Sequence, residues 1–353
     1  MSDEYLNPVD IKDAHVLTRI VERRAKESDV YGVLFAPIKQ TLSRKVKLRI
    51  KHVDGSGLAA FKADNALTPV VGGGGDVQDI YLELFTIAEK HVLTASDILA
   101  LESPDPVIAA GAARNIVELG KQLRIRNVNR TKWMAWMAVR DQLTVTYPDG
   151  VSIAIDYDLD GTDQNSYFSG SHLPTASVAW SDEAADIIED VYTWTKLIAD
   201  DLGVDQSECI MYINSSTWRY MKKNTGIKAE LSASNPRIIT PRMKEVVEIL
   251  EIAEIRMMNE YYTDTDDTKY KFLPDGYVLI TAPDQVNGTP LIDMLDGPVV
   301  RVVNGDLVVA QNPGALSEIY VNEEQLVKNI RVQTARIPVI NYPNGIVWAD
   351  IAP

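Results

Sequence analysis

Cysteine is nearly absent from this 353-residue sequence, which contains only Cys209. A single cysteine cannot form an intrachain disulfide, so a fold stabilised by internal disulfides is excluded. Cys209 begins the apolar segment Cys-Ile-Met-Tyr-Ile, which predicts a buried, unreactive thiol. Stability must come from hydrophobic packing, and the length allows roughly two domains.

Long apolar runs are absent as well, and none approaches the roughly 20 residues that span a bilayer. The first residues, Met-Ser-Asp-Glu, show no basic region followed by an apolar stretch, so no secretory signal is predicted. We therefore expect a folded protein without membrane contact that stays in the cytosol where it is made.

Positive charge is in deficit, since the formal net charge is -15. Specific nucleic-acid binding needs clustered Lys and Arg, so the total charge argues against it. The charge is uneven: residues 1–150 hold 20 basic and 19 acidic side chains, whereas residues 151–353 hold 15 and 31. In a self-assembling protein, the nearly neutral part could lie across the acidic part of a neighbouring copy.

A complete metal-binding or catalytic motif is also missing. Asp156, Asp158, Asp160 and Gly161 resemble the start of a calcium loop, but position twelve, where a bidentate Glu is required, is Tyr167. A solvated acidic loop is the preferred interpretation. The same interpretation applies to a second acidic group, Asp264, Asp266 and Asp267.

Motifs for phosphate binding and for a histidine metal site are also incomplete. No Gly-Lys-Ser or Gly-Lys-Thr follows the four glycines 72–75, so they are not a phosphate-binding loop. The four histidines lie far apart, outside any metal-ligand spacing: His15, His52, His91 and His172. We predict no catalytic, cofactor-binding or metal-binding residue, and therefore no enzyme.

The N-terminal segment predicts a short amphipathic helix. Asn7-Pro8 is a typical helix start, and Val16, Leu17, Ile20 and Val21 follow at helical spacing. Such a narrow stripe must dock on something, either its own domain or another surface. Removal of residues 1–29 is expected to impair assembly more than folding.

A long two-stranded excursion follows. Apolar and basic residues alternate from Arg44 to Val53, and alternation returns from Ile80 onwards. The glycine-rich run between them predicts a flexible tip. An extended hairpin is only marginally stable alone, so a neighbouring subunit is the natural partner.

A long helix is predicted from Asp105-Pro106, an N-cap and first-turn proline, with the apolar positions Ala112, Ile116, Leu119 and Leu123 on one face. Gly111, Gly120 and the polar stretch 126–130 leave room for a kink. Core or subunit contacts are the preferred role of four residues near its end: Trp133, Met134, Trp136 and Met137.

The turn Pro148-Asp149-Gly150 then joins two strands in a hairpin.

The second half predicts a mixed α and β domain. A helix capped by Ser181 and ended by Gly203 precedes a buried strand, 209–213. Strands return at 330–340 and 346–351, with the turn 341–345 between them.

The order of these segments resembles the major capsid protein E family of tailed bacteriophages, the lambda-like branch of the Hong Kong 97-type fold. The matching stretches are the extended loop from Arg44 to Leu93; Trp180 with Asp186-Ile187; Asn214 and Trp218 before residues 224–228; Tyr262 and the hairpin to residues 272–275; and Arg331 to Pro338 ahead of Pro343. The resemblance covers nearly the whole chain.

The resemblance implies an α+β fold with five parts. They are an N-terminal arm at 1–43, an extended β-hairpin E-loop at 44–93, and a P-domain with its long spine helix and hairpin at 94–159. A mixed α/β A-domain follows at 160–327, and the C-terminal strands of the P-domain are at 328–353.

The implied function is that of a major capsid protein. Copies would assemble as hexamers and pentamers into an icosahedral virion shell in the host cytoplasm. Expected partners are the chain itself, a scaffolding protein, the portal and a decoration protein, with only non-specific contact with packaged DNA. Some relatives crosslink a loop lysine, and Lys62 lies in that region, but no acceptor is identifiable and no crosslink is expected.

Three alternatives stay open at this point. An encapsulin-like storage shell would use the same fold. A metal-dependent enzyme would use the acidic loop of Asp156, Asp158 and Asp160, and a tail-tube protein would form rings or tubes.

Overall fold

The computed structural model describes residues 17, 21, 38–50, 78–147, 150–157, 159, 170–234, 241–264, 267–303, 306–309, 314–322 and 327–352. The glycine-rich segment 72–75, Lys62, His15, His52, Asp158, Asp160, Gly161, Tyr167 and Asp266 lie outside these residues. The chain divides into two compact units: Met1–Lys47, Tyr81–Ala135 and Asp293–Val339 form unit 1, and Leu48–Ile80, Trp136–Ile292 and Ile340–Pro353 form unit 2.

The helices of the described residues are α1 (Ala95–Leu101), α2 (Pro106–Ala138), α3 (Ile187–Leu202), α4 (Ser215–Lys223), α5 (Thr225–Ser234) and α6 (Met243–Ile249). The strands are β1 (Lys39–Gln40), β2 (Lys45–Ile50), β3 (Gln78–Glu83), β4 (Phe85–Leu93), β5 (Leu143–Thr146), β6 (Ser152–Ile155), β7 (Ile210–Ile213), β8 (Glu254–Met257), β9 (Tyr261–Thr263), β10 (Lys269–Lys271), β11 (Tyr277–Thr281), β12 (Gln285–Val286), β13 (Thr289–Pro290), β14 (Ile292–Gly297), β15 (Val300–Val303), β16 (Asp306–Val309), β17 (Leu316–Asn322), β18 (Val327–Ile340) and β19 (Ile346–Asp350).

Unit 1 is built on the 14-residue strand β18. It pairs antiparallel with both β4 and β17 and also pairs with β14, which holds the short parallel strand β1. Alternate residues of a strand point to opposite faces, so Ile330, Val332 and Thr334 share one face. Ile330 joins the hydrophobic core that includes Ile116 and Val117 of α2, so α2 covers this face.

Helix α2 runs uninterrupted for 33 residues, and the sequence correctly predicts its start. The Asp105 carboxylate accepts a hydrogen bond from the backbone N–H of Val107 at 2.8 Å. The helix is unbroken at Gly111 and Gly120, where the sequence leaves room for a kink. A Cβ atom at Gly120 would lie 2.9 Å from Val21 Cγ2 and 3.1 Å from Ile330 Cδ1, so this glycine allows close packing.

Two residues of the N-terminal segment, Leu17 and Val21, lie in its own unit, which favours docking on its own domain. Leu17 and Val21 are helical and fully buried in the core of unit 1. Because the segment completes this core, its removal is expected to cost folding as well as assembly, contrary to the expectation from the sequence.

The two-stranded excursion is confirmed as the sheet of β2 and β3. At its base, Leu84 N–H donates to Arg44 O at 2.9 Å, and the Arg44 guanidinium donates to Thr86 Oγ1 at 2.9 Å. Leu84 is buried so close to Gly297 that a Cβ atom there would lie 2.0 Å from Leu84 Cδ1. The base of the excursion is therefore fixed in unit 1.

Unit 2 contains the four-stranded sheet β19-β11-β7-β8, in which only the pair β7 and β8 is parallel. Trp348, Leu279, Tyr212 and Arg256 are in register and therefore share one face. Trp136, at the end of α2, packs edge-on against Tyr212 and Trp348, with ring centroids 6.4 Å apart in both pairs. Trp136 is thus a core residue of this sheet.

The opposite face of this sheet is buried too, through the row Val347, Ile280, Met211 and Ile255. All four residues of β7 are buried, as the apolar run in the sequence predicts. Helix α3 contacts β11 and β19, and its buried face includes the four residues expected from the sequence: Ile187, Val191, Trp194 and Ile198.

The predicted start of α3 at Ser181 is wrong by about a turn and a half. The helix begins at Ile187, and its N-cap is Asp186, whose side chain accepts from Glu189 N–H at 3.2 Å. The carbonyls of Glu183 and Ala185 accept hydrogen bonds from Asn224 Nδ2 at 3.3 and 2.7 Å. The backbone N–H groups of Ile187 and Glu189, which would donate to these two carbonyls in a longer helix, donate instead to Ala185 O and Asp186 Oδ1. Its end at Gly203, in the left-handed region with φ 69°, is as predicted.

Candidate functional site

The interface between α2 and the sheet of unit 1 contains a buried polar layer, which the sequence analysis missed. Asn127 lies at its centre: its Nδ2 donates to Ile87 O at 3.2 Å, and its Oδ1 accepts from Thr334 Oγ1 at 2.8 Å. The Arg124 guanidinium also donates to Asn127 Oδ1, at 3.4 Å. These directional contacts fix the helix against both β4 and β18.

A buried ion pair extends this layer. Arg336 Nη2 lies 3.0 Å from Asp296 Oδ2, and the two side chains are 2% and 4% exposed. Removing two charges from water costs several kcal/mol per ion, and mutual attraction returns that cost only with good geometry. The pair therefore contributes more to the alignment of β14 and β18 than to net stability.

A second buried pair lies in unit 2. His172 Nδ1 is 2.8 Å from Ile346 O, and His172 Nε2 is 2.7 Å from Asp201 Oδ2. A carbonyl oxygen only accepts, so Nδ1 carries a proton and donates. A second proton must lie between His172 Nε2 and Asp201 Oδ2, which are 2.7 Å apart. It is bound either to the imidazole or to the carboxyl group. This pair connects the end of α3 to β19.

Helices α1 and α2 of unit 1 expose three large apolar side chains. Leu99 on α1 is 72% exposed, and Val107 and Ile108, in the first turn of α2, are 75% and 51% exposed. Single exposed apolar residues are common, but a concentration at one helix pair marks a candidate contact surface.

The outward face of α2 is rich in basic side chains. Arg114 and Arg130 are exposed, Lys121 and Lys132 are half-buried, and Arg126 forms a bidentate ion pair with Glu89 at 2.7 and 3.0 Å. The opposite face of the helix packs on the core, so the basic face is fixed in direction.

The described members of the two acidic groups singled out in the sequence are Asp156, Asp264 and Asp267. Asp156 is exposed, and the chain that follows is bound by another residue: Asp141 accepts from Tyr157 N–H at 2.7 Å and from Leu159 N–H at 3.2 Å. Asp264 and Asp267 belong to the turn between β9 and β10, where Asp267 N–H donates to Asp264 O at 3.1 Å. Within the described part of the chain, no three His, Cys, Asp or Glu side chains form a metal-binding group.

The remaining sequence-predicted residues have structural roles. Cys209 is fully buried, and burial raises the pKa of its thiol to about 12, so it is not a thiolate at neutral pH. Met134 is buried in the core, whereas Trp133 is half-buried beneath the Arg130 guanidinium, which lies 4.8 Å from its ring centroid. His91 is exposed on β4.

The comparison that decides the family is a match to the model of phage major capsid protein E, which covers residues 13–349. The chain belongs to this family. The resemblance drawn from the order of segments is therefore confirmed. Membership identifies the chain as a phage major capsid protein, and this favours a phage shell over a storage shell or a tail tube.

Solved structures show the fold of this capsid protein independently. A phage-related protein from Bordetella bronchiseptica RB50 is 13% identical, with a TM-score of 0.56 over 97% of this chain and 98% of that chain. A putative capsid protein of a prophage from E. coli CFT073 is 14% identical, with a TM-score of 0.53 over 96% of this chain and 99% of that chain. The predicted α+β Hong Kong 97-type fold is confirmed.

Two further results concern this capsid protein. A search among curated proteins gives no match. Among the residues that the structure describes, no helix combines the length and the apolar character needed to cross a bilayer.

Proposed function

We propose that this capsid protein assembles as hexamers and pentamers into an icosahedral shell that encloses a packaged DNA genome. The observation that carries the proposal is the family match over residues 13–349. In such a shell the protein acts through its surfaces and not through an active site. This view is consistent with Asp141, whose carboxylate accepts from backbone N–H groups, and with Asp264 and Asp267, which lie in a turn.

The domain boundaries expected from the sequence are part of this proposal. Residues 1–43 act as the arm, 44–93 as the E-loop, 94–159 and 328–353 as the P-domain, and 160–327 as the A-domain. The E-loop reaches over a neighbouring copy. Support comes from the two-stranded sheet of β2 and β3, whose base is fixed by Arg44 and Leu84 and which has too few strands to be stable by itself.

A scaffolding protein, the portal and a decoration protein are the further partners that we propose. Assembly takes place in the host cytoplasm, and the finished protein resides in the virion capsid. Family membership supports this assignment. No covalent crosslink through Lys62 is proposed, so denaturing electrophoresis of assembled shells should give a single band at the mass of the chain.

Sedimentation tests the proposal at the level of particle mass. The chain is expressed alone and with its neighbouring genes, and each lysate is run on a density gradient. We expect most of the protein in particles far heavier than a hexamer when the neighbouring genes are present. Protein that stays near the 39.2 kDa of one chain under both conditions would contradict the proposal.

A further inference from the structure

Arg140 is a half-buried arginine of unit 2 that lies just after the end of α2. Its guanidinium lies over the ring of Trp348, with the central carbon 5.3 Å from the ring centroid. In the described part of the chain it forms no ion pair, and its Nε atom is buried without a hydrogen-bond partner. Its one hydrogen bond there is weak, from Nη1 to Met137 Sδ at 3.9 Å. Since a guanidinium has five N–H donors, most of them are available to a ligand.

Two other half-buried arginines of this chain have carboxylate partners. Arg256 donates to both carboxylate oxygens of Asp284 at 3.1 Å, and Arg331 forms an ion pair with Glu318. A charge that is partly removed from water costs free energy unless it is paired. Arg140 carries such a charge without a counter-charge among the described residues.

The pKa of Arg140 reflects this environment. Burial lowers its pKa, and the only opposing influences are the nearby phenols of Tyr262 and Tyr277. Among the described residues, no carboxylate acts on this pKa. The guanidinium stays protonated at neutral pH all the same, because the ordinary pKa of arginine lies above 12. An anion beside it would therefore be stabilised.

Three aromatic rings surround the charge. Trp348 lies beneath the guanidinium, and Tyr277 stacks on Trp348 with ring centroids 5.5 Å apart and planes 25° apart. Tyr262 comes from β9, where its ring packs on Phe272 at 5.1 Å. Arg140, Trp348, Tyr262 and Tyr277 are named the Arg140 cluster, and all four belong to unit 2.

The Arg140 cluster can be reached from solvent. Trp348 is only 6% exposed and forms the floor, whereas Arg140, Tyr262 and Tyr277 are all half-buried. A small ligand can therefore contact the guanidinium and the two phenols without unfolding of the unit.

The turn after α2 fixes the position of Arg140 and keeps the adjacent carboxylate away from it. The N–H groups of Arg140 and Gln142 both donate to Met137 O, at 3.2 and 2.9 Å. Asp141 has a left-handed backbone, with φ 55°, and its carboxylate accepts from Tyr157 N–H and Leu159 N–H. The site is thus formed before any ligand arrives.

A second carboxylate on this face is also used elsewhere. Asp350 is in register with Tyr277 on the neighbouring strand, so the two side chains share a face. Asp350 Oδ1 accepts from Ala352 N–H at 2.9 Å, and no ion pair joins Asp350 to Arg140. The counter-charge must therefore come from outside the described part of the chain.

The chemistry of the cluster matches one carboxylate group. The planar fork of a guanidinium binds the two oxygens of a carboxylate with two parallel hydrogen bonds. A phenol hydroxyl such as that of Tyr277 adds a neutral donor. One cation balances the single charge of a carboxylate, whereas a phosphate group brings about 1.5 to 2 negative charges at neutral pH. The aromatic walls favour a ligand with an apolar part beside its carboxylate.

We propose that the Arg140 cluster is a binding site for a small monocarboxylate, in which the guanidinium pairs with the carboxylate, Tyr277 donates a further hydrogen bond and Trp348 forms the apolar floor. The site is complete within one chain and does not depend on shell formation. Its test and the test of the proposed function are therefore independent.

Thermal unfolding of the full chain compares benzoate with benzamide, which has nearly the same shape and no charge; sodium chloride equalises the ionic strength. Benzoate at about ten times its dissociation constant should raise the unfolding temperature by about 2 °C, and benzamide should not. Arg140→Gln should abolish the benzoate shift. The control is Arg130→Gln, at an exposed arginine that also lies over a ring, that of Trp133 at 4.8 Å, and it should keep the shift.

Two conservative variants test the individual donors. Tyr277→Phe keeps the ring and removes the hydroxyl, so it should weaken benzoate binding about fivefold, the value of one neutral hydrogen bond. Arg140→Lys keeps the charge and loses the fork, so it should also weaken binding while the chain remains folded. It provides the comparison if Arg140→Gln fails to fold.

Arginine modification by phenylglyoxal, measured for each peptide by mass spectrometry, locates the bound anion. Benzoate should slow modification of Arg140 at least twofold and leave Arg130 unchanged, and inorganic phosphate at the same concentration should protect neither. Equal protection of both arginines, or an Arg140 that does not react without ligand, would overturn the proposal. Protection by phosphate as strong as that by benzoate would overturn the assignment to carboxylates.

A purely structural role for Arg140 predicts a different pattern. A cation after the last turn of a helix is favourable to the helix dipole. If Arg140 served α2 in this way alone, Arg140→Gln would lower the unfolding temperature equally in benzoate and in benzamide, and the wild type would unfold at the same temperature in both. That pattern would overturn the proposal.

Discussion

The buried pair of Arg336 and Asp296 shows how a single residue contributes to the alignment of unit 1. Asp296 Oδ1 has no hydrogen-bond partner among the described residues, and Oδ2 is bound by Arg336. The carboxylate therefore depends on one partner for its charge compensation.

Arg336→Ala should destabilise the chain by about 3–5 kcal/mol, because it leaves a buried carboxylate without its counter-charge. The double variant Arg336→Met with Asp296→Leu should recover most of that loss, since apolar residues of similar volume avoid the desolvation cost. Chemical denaturation of the wild type and the two variants provides the free energies of unfolding. A double variant as unstable as Arg336→Ala would show that the pair contributes net stability.

His172 and Asp201 have the corresponding role in unit 2. His172→Phe removes the donor to Ile346 O and leaves Asp201 buried without its partner, so we expect a loss of about 2–4 kcal/mol. Asp201→Asn should cost about 1 kcal/mol, because the amide can donate to Nε2 and keep one neutral hydrogen bond. Thermal unfolding measures both. Equal losses in the two variants would contradict the proton arrangement inferred for this pair.

At the scale of elements, α2 is held by close contacts on one face and is open on the other. Two of its glycines provide a matched pair for testing this difference. A Cβ atom at Gly120 would meet Val21 and Ile330, whereas a Cβ atom at Gly111 would meet nothing within 4 Å.

Gly111→Ala should stabilise the chain by about 0.5–1 kcal/mol through helix propensity. Gly120→Ala should lose that gain and destabilise, because the new methyl group displaces Val21. The added variant Val21→Ala should relieve part of the crowding. Denaturant midpoints of the single and double variants give the comparison, and a Gly120→Ala protein as stable as Gly111→Ala would refute the packing of Val21 on α2.

We expect a second copy to cover the exposed apolar residues of α1 and α2 on assembly. Val107→Asp should leave folding unchanged, since an acidic residue is favourable in the first turn of a helix. We expect it to lower the yield of shells on a density gradient. Val178→Asp, at a residue of unit 2 that is 45% exposed, is the control. Equal yields from both variants would place the assembly contact elsewhere.

The elements that were predictable from the sequence are those with strong local patterns. The long helix α2, the hairpin of β5 and β6, the buried strand β7 and the C-terminal strands follow from periodicity and turn residues. The start of α3 was not predictable, because the residues before Ile187 are held by hydrogen bonds to Asn224, about 40 residues away along the chain.

The buried polar pairs were beyond sequence reasoning for a related reason. Arg336 and Asp296 are 40 residues apart, and His172 and Asp201 are 29 apart, with no motif that links them. The basic face of α2 could have been predicted from the spacing of its Arg and Lys residues, but the sequence analysis considered only the negative net charge of the chain. Absence of a catalytic site was a prediction from missing motifs, and it stays a prediction.

At the scale of the whole molecule, the N-terminal segment connects folding to assembly. Leu17 and Val21 complete the core of unit 1, so removal of residues 1–29 should destabilise the chain by several kcal/mol, comparable with the loss of two buried apolar side chains. Thermal unfolding of the truncated and full-length chains measures this. A truncated chain that unfolds at the same temperature as the full-length chain but fails to assemble would show that the segment acts in assembly alone.

The most direct test of the central claim is negative-stain electron microscopy of the chain expressed alone and with its neighbouring genes. A shell-forming capsid protein should appear as closed particles of uniform size, or as rings of five and six copies. A small, uniform particle under both conditions would contradict the account.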